Sequence, residues 1–225
     1  LNECMVNSGG FDHNIQTLRI VTLLENRYYN FNGLNLSFET LDGLIKHNGP
    51  VLNKTKINKI LGKNFFKNKI NFNTSPSLEA QIASISDDIA YNSHDLEDGL
   101  NAKLFKLNDV SKIPVLESLI NKHKKKLKNY SQELVLRQII RDIINEMVKD
   151  VINNTKTNLK KNNIRNIHDV YKSKYPIVTF SKKMQIFDKQ IKKFLRKKMY
   201  FHKNVESNTK QGKKIISKLF VSIKN

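Results

Sequence analysis

The stretch Ser86-Asp87-Asp88-Ile89-Ala90-Tyr91-Asn92-Ser93-His94-Asp95 constrains the fold more than any other part of this chain. Its residues divide with helical period. On a wheel of about 100° per residue with Asp87 at zero, Tyr91 falls at about 40°, Ser84 at about 60°, Asp95 at about 80°, Asp98 at about 20° and His94 at about 340°. Leu78, Ile82, Ile85 and Ile89 gather between about 160° and about 220°. The spacing predicts one helix from about Leu78 to Leu100, apolar on one side, acidic and aromatic on the other. An ordinary solvated face carries Lys and Glu in i,i+4 pairs. Here carboxylates, an imidazole and a phenol line up instead, and the face reads as a site.

Helical period extends through most of the chain. Phe11 to Tyr29 repeats apolar residues at spacings of three and four, and Asn30-Phe31-Asn32-Gly33 breaks it. Ser37 caps a second predicted helix that runs through Lys46 and stops at Asn48-Gly49-Pro50. Residues 51–74 read as an irregular, Asn- and Lys-rich excursion, after which Ser75-Pro76 opens the acidic helix. Ile113-Pro114 precedes a short helix to about Lys126, and Ser131 to about Lys160 is the longest periodic run. Pro176 and the β-rich patch Ile177-Val178-Thr179-Phe180 separate that run from two closing helices, about 182–201 and 206–222. No internal repeat or heptad array is present. The fold class expected is all-α, a helical bundle.

Charge narrows the partners. Residues 1–100 hold 9 Lys/Arg and 11 Asp/Glu, a net of −2, whereas residues 101–225 hold 31 and 9, a net of +22. A basic half suits a polyanion such as nucleic acid. The abundance of Asn, Ile and Lys is equally what A/T-rich coding produces. Aromatics are not interleaved with the lysine runs at Lys122 to Lys128 and Lys192 to Lys198 as stacking platforms for single strands require. The single cysteine, Cys4, excludes an intramolecular disulfide and suits a reducing cytoplasm. No apolar run approaches the roughly 20 residues of a membrane span, and Leu1-Asn2-Glu3-Cys4 is not a signal peptide. No membrane partner is expected.

A second polar cluster is Gly9-Gly10-Phe11-Asp12-His13-Asn14-Ile15-Gln16-Thr17-Leu18-Arg19. Two glycines before a helix start can present N–H groups to an anion; an ordinary cap with a surface histidine is the simpler reading of the pattern. Together the two clusters carry a family resemblance. The segment Gly10 to Val21 resembles the G-F-[DE]-H-N-x-Q-[ST]-L-R-I-V motif of bacterial deoxyguanosinetriphosphate triphosphohydrolase-like proteins, in the HD-domain superfamily. The likeness continues through Leu34 to Leu41, Lys46-His47-Asn48-Gly49-Pro50, Ser77 to Ile82 and Asp87-Asp88-Ile89-Ala90-Tyr91-Asn92. It returns at Arg137-Gln138-Ile139-Ile140, Val178-Thr179-Phe180-Ser181 and Phe194 to Tyr200, so it spans the chain in order.

The resemblance implies hydrolysis of a deoxynucleoside triphosphate to the nucleoside and inorganic triphosphate. It implies a divalent metal, Mg or Mn, with Asp87 matching the last of its ligands. Tyr91 and Asp95 match positions that pack on and hydrogen-bond the deoxyribose, and His13 matches the group that protonates the leaving oxygen. Arg137 and Arg141, one turn apart, are candidates to hold the triphosphate; Arg196 and Lys197 are weaker ones, and a basic outer surface accounts for all four equally. The family's earlier metal histidine and His-Asp pair have no counterpart here, since His94-Asp95 and His168-Asp169 lack the neighbouring sequence. The resemblance therefore assigns 1–105 to the C-terminal part of an HD-type catalytic domain and 106–225 to a basic α-helical C-terminal subdomain. It further implies a truncated or split form, inactive without its missing N-terminal segment, and a possible homo-oligomer. A catalytically dead subunit and a basic nucleic-acid-binding protein are the competing readings.

Overall fold

The structure is a computed structural model that describes all residues except 52–53, 64, 67–68 and 225. Ten helices order the chain: α1 (His13–Arg19), α2 (Phe38–Ile45), α3 (Thr55–Leu61), α4 (Leu78–Asn101), α5 (Leu107–Val110), α6 (Pro114–His123), α7 (Gln132–Lys161), α8 (Ile167–Lys172), α9 (Lys182–Leu195) and α10 (Lys203–Lys224). Single π-helical stretches prolong α1 through Ile20–Leu24 and α9 through Arg196–Tyr200. Among the described residues there is no strand, only an isolated bridge between Asn26 and Gly33, and the fold is all-α as expected. No helix among them is long and apolar enough to cross a membrane.

The chain divides into two compact units. The first comprises Leu1–Ser84, Leu159–Ile177 and Ile215–Asn225. Its core gathers Leu18, Leu41, Ile57, Phe66, Ile70 and Phe72, with Phe66 meeting Phe38 and Phe72 edge to face. Such tilted ring pairs favour the aromatic quadrupoles beyond the area they bury. Segment 75–81 is tied to 171–177 by polar atoms: Ser75 Oγ donates to Ser173 O at 2.8 Å, and Ile177 N donates to Gln81 Oε1 at 2.8 Å. Gln81 Nε2 in turn donates to Pro76 O at 2.9 Å.

α3, within the segment read as irregular, and α8 are not among the helices the spacing predicts. α3 lies within 51–74 because Ile57 is driven into the core, at 2 % exposure. α8 is fixed by a capping box: Asn166 accepts from His168 N and Asp169 N, and the Asp169 carboxylate accepts from Asn166 N. Conversely, α1 ends near Leu24, not Tyr29. The chain folds back there, with Leu34 N donating to Val21 O at 2.8 Å. Gly33, at φ +71°, makes that approach, and a Cβ on it would lie 2.5 Å from Val21 O.

The second unit comprises Ile85–Asn158 and Val178–Lys214. Its buried positions on α7 are Val135, Leu136, Ile139, Ile140, Ile143, Met147 and Val151, and on α9 Met184, Phe187, Ile191 and Leu195. These recur at three and four, the spacing that presents one helix face to a core. The patch 178–180 is not part of a strand. Its polar atoms go to α7 instead: Thr179 O and Oγ1 accept from Asn154 Nδ2 at 2.8 and 3.0 Å, and Ser181 N and Oγ donate to Asp150 at 2.8 and 2.6 Å. Asp150, Asn154 and Asn158 stand four apart, so one helix face satisfies a whole segment of backbone.

Close packing also fixes Gly99 of α4. A Cβ there would fall 2.3 Å from the Phe105 ring, which packs edge-on against Phe194. Gly99→Ala is expected to destabilise by about 1–3 kcal/mol through overpacking, against alanine's better helix propensity. A thermal melt equal to or above the parent's would contradict this.

Asp142 on α7 gathers three donors. His123 Nε2 lies at 2.9 Å, Lys122 Nζ at 2.9 Å and Gln138 Nε2 at 2.8 Å. A carboxylate only accepts, so Nε2 carries the proton in that bond. The His123 bond first, and then Lys122, hold the Asp142 carboxyl well below the usual carboxylate range. A depressed folded pKa contributes stability above the unfolded value, about 3.9, and that contribution is lost as pH falls through it toward the folded value. Urea midpoints should therefore drop between about pH 5 and about pH 3. Asp142→Asn is expected to cost about 1–3 kcal/mol at neutral pH and to flatten that acid limb; an unchanged limb would place the pH dependence elsewhere.

Candidate functional site

α4 begins where Ser77 Oγ accepts from Ala80 N, and runs for 24 residues without interruption. It buries Gln81, Ile89, Asn92, Ser93, Leu96 and Gly99 and turns the opposite face to solvent. The expected apolar side is therefore displaced in its first turns. Ile82 is 48 % exposed, while Gln81 goes inside because its amide is satisfied at both ends.

The exposed face is the one the wheel singles out. Asp87, Tyr91 and His94 are exposed and Asp95 is half-buried. Asp87 makes no hydrogen bond or ion pair with a described residue. Asp95 does: its Oδ2 accepts from Tyr200 Oη. Burial, with the Asp95 bond and charge added, pushes the Tyr200 phenol up to about 12. Beside this pair, Lys192 of α9 bridges Asp88 at 2.8 Å and Asp188 at 3.1 Å, and Asn92 Nδ2 donates to Asp188 Oδ1 at 2.7 Å. Burial works against the Lys192 charge, but the two carboxylates outweigh it and raise its pKa. The acids of α4 are thus sorted. Asp88 and Asp95 are engaged by α9 and its π-helical extension, and Asp87 stays open. Adjacent members of the row Asp87, Tyr91, Asp95 are separated by about 6 Å along the helix.

The other expected site residues lie on other helices. His13 is the first residue of α1, exposed, in the first unit. Asp12 caps that helix, accepting from Asn14 N and Ile15 N at 3.1 and 3.3 Å. The glycine N–H groups before it are already used, Gly9 N on Val6 O and Gly10 N on Met5 O, so the ordinary cap is what forms. Arg137 and Arg141 are exposed on α7 and engaged along it, with Glu133 Oε1 at 2.7 Å and Gln138 Oε1 at 2.9 Å. No hydrogen bond or ion pair among the described residues joins either to Asp87, Tyr91 or Asp95.

The first unit carries a cleft of about 800 Å³ lined by Asn14 and Thr17 of α1, Glu39 and His47, and Ala80 and Ala83 of α4. Thr17 is one helical turn beyond His13, so both lie on one side of α1. The size suits a small-molecule ligand.

A bare carboxylate such as Asp87 is the right donor for a hard divalent cation. It is not sufficient, because among the described residues no group of three or more His, Cys, Asp or Glu side chains converges to hold a metal. The described residues by themselves do not complete a metal site.

Residues 178–224 match the phosphohydrolase-associated domain family. Over its whole length the chain is 55 % identical to the deoxyguanosinetriphosphate triphosphohydrolase-like protein of Pelagibacter ubique, covering 61 % of that relative. Over its whole length the chain is similar to the deoxyguanosinetriphosphate triphosphohydrolase-like proteins. Proteins of the same name from Bartonella henselae and Rickettsia typhi are 43 % and 41 % identical across 98 % of the chain, which covers 56 % and 57 % of them. The chain thus spans about three-fifths of the curated relatives it matches.

Tyr200, Lys192, Asp188 and Asn92 are the members of the α4 site that sequence reasoning does not pick out. Tyr200 stands 105 positions from Asp95, and no local pattern links them. The one available signal is that Phe194 to Tyr200 belongs to the family likeness.

Proposed function

We propose that this chain supplies the substrate-positioning side chains of a deoxynucleoside triphosphate triphosphohydrolase. The observation carrying the reading is the open row Asp87, Tyr91, Asp95 on α4, braced by Tyr200, in a chain similar throughout to triphosphohydrolase-like proteins. In this reading Tyr91 packs on the deoxyribose. Asp95, oriented by Tyr200 through Oδ2, keeps Oδ1 free to accept from a sugar hydroxyl. Water attacks the α-phosphorus, and His13 gives a proton to the 5′ oxygen as its bond to that phosphorus breaks, leaving the nucleoside and inorganic triphosphate. Arg137 and Arg141 take up triphosphate charge by exchanging Glu133 and Gln138 for phosphate oxygens.

The reading includes a divalent metal, Mg or Mn, to which this chain contributes Asp87; the further ligands come from outside the described residues. The chain by itself is accordingly inactive. The test is release of inorganic triphosphate from dGTP and the other deoxynucleotides with either metal. No release by the chain alone, and release on adding the upstream segment of a relative, is the expected pair of results. Release by the chain alone, untouched by Asp87→Ala, would sink the assignment.

A second reading, nucleic-acid binding, draws on the net +22 of residues 101–225. It predicts affinity for DNA or RNA that falls steeply as salt rises; salt-independent or absent binding removes it.

A further inference from the structure

A separate cleft in the first unit collects positive charge in a region that is otherwise not basic. Its volume is about 440 Å³, and Arg19 of α1 with Lys56 and Lys59 of α3 line it. Residues 1–100 hold only 9 Lys/Arg against 11 Asp/Glu, so three of nine cations meet at one place. Asp12 is the acid among the lining residues, and it is already occupied. Oδ1 accepts from Asn14 N and Ile15 N, and Oδ2 faces Lys56 Nζ at 3.7 Å. Arg19 and Lys59 form no ion pair or side-chain hydrogen bond with a described residue. The cleft therefore holds two cations with no compensating anion. Like charges drawn into one concavity repel one another and raise the local concentration of an anion.

Gly9 and Gly10 also line the cleft. They sit at φ +93° and +78°, where residues with a Cβ are strained, and Lys59 Nζ lies 3.6 Å from where a Cβ on Gly9 would be. Their N–H groups are spent, so the side-chain cations alone provide the attraction. Phe11, Ile15, Leu23 and Ile60 are among its apolar lining residues. Cations and apolar side chains in one cleft suit an anion with an apolar body.

We propose that this cleft binds a phosphate-bearing small molecule whose apolar body seats against Phe11, Ile15, Leu23 and Ile60 while Arg19 and Lys59 hold the phosphate. The cleft shares α1 with His13, but His13, Arg137 and Arg141 are not among its lining residues, so the Arg19 and Lys59 variants test it separately from the reading above.

The experiment is isothermal titration of the whole chain with two probes, inorganic pyrophosphate and a nucleoside 5′-monophosphate. Hydrogen-exchange mass spectrometry on each complex supplies the location. Both probes are expected to bind, the ester more tightly, with exchange slowed at residues 9–16 and 56–60. Arg19→Gln and Lys59→Gln are each expected to weaken binding by about tenfold, one charge-assisted contact, and Lys59→Arg to retain it. Both side chains are exposed, so these variants keep the fold, and circular dichroism checks that. Equal affinity for the two probes would remove the apolar body from the proposal. Binding unaffected by either Gln variant, or protection confined to the lysine-rich residues 203–224, would overturn it.

Discussion

Asp42→Ala is expected to destabilise the first unit by about 3–5 kcal/mol, among the largest single-residue effects in the chain. The reason lies in what it leaves behind. Lys46 is 1 % exposed, and its ammonium is held by Asp42 Oδ1 at 2.7 Å and Thr74 Oγ1 at 2.8 Å, with the Tyr171 ring 5.7 Å away. Remove the carboxylate and a buried cation keeps one hydroxyl and one ring. The intact pair contributes far less than its rupture costs, because both charges have left water. Burial raises the Asp42 pKa, Lys46 only partly offsets this, and the Glu39 charge adds to it. A carboxyl with a raised folded pKa contributes stability below its unfolded value and loses it as pH rises through the folded one. Asp42→Leu with Lys46→Met should therefore recover most of the loss, since an apolar replacement of a whole buried pair is close to neutral. Urea denaturation of the parent, the single variant and the double variant checks this. A single variant within about 1 kcal/mol of the parent would show that water reaches Lys46.

This pair also marks what can be read from the chain and what cannot. Lys46 looks like a surface lysine at the end of α2, and nothing within α2 distinguishes it from the many exposed ones. Its burial depends on Thr74 and Tyr171, far along the chain. The row on α4 is legible for the opposite reason: helical period places Asp87, Tyr91 and Asp95 together without outside help. The caps are legible too, since Ser37 and Asp12 sit at true helix starts. Where tertiary contacts decide, local pattern fails. α3 forms on Ile57, Thr179 of the 178–180 patch finds its partners on α7 and not in a strand, and Ile82 and Gln81 exchange the places their polarity suggests. The partners of the α4 acids fail in the same way, because Tyr200 and Lys192 reach them from more than a hundred positions away.

In an enzyme reconstituted with the upstream segment of a relative, Asp87→Ala should reduce triphosphate release by more than about a hundredfold, beyond what loss of an outer-shell partner costs. The same substitution should leave stability within about 0.5 kcal/mol of the parent. The two expectations together make the test sharp. Asp87 is exposed and makes no bond with a described residue, so the fold has nothing to lose at that position. Its neighbours on the same face do not permit so clean a separation. Asp95→Ala releases Tyr200, and Asp88→Ala takes one carboxylate from Lys192, which then relies on Asp188 at 3.1 Å. Activity lost at those positions mixes function with rearrangement of α9 and its π-helical extension. Asp87→Asn refines the result by keeping shape while removing charge. If charge is what the site needs, Asn is as inactive as Ala. An Asn variant near parental turnover would mean that Asp87 acts as a neutral hydrogen-bonding group, and its place in the proposed ligand set would fall.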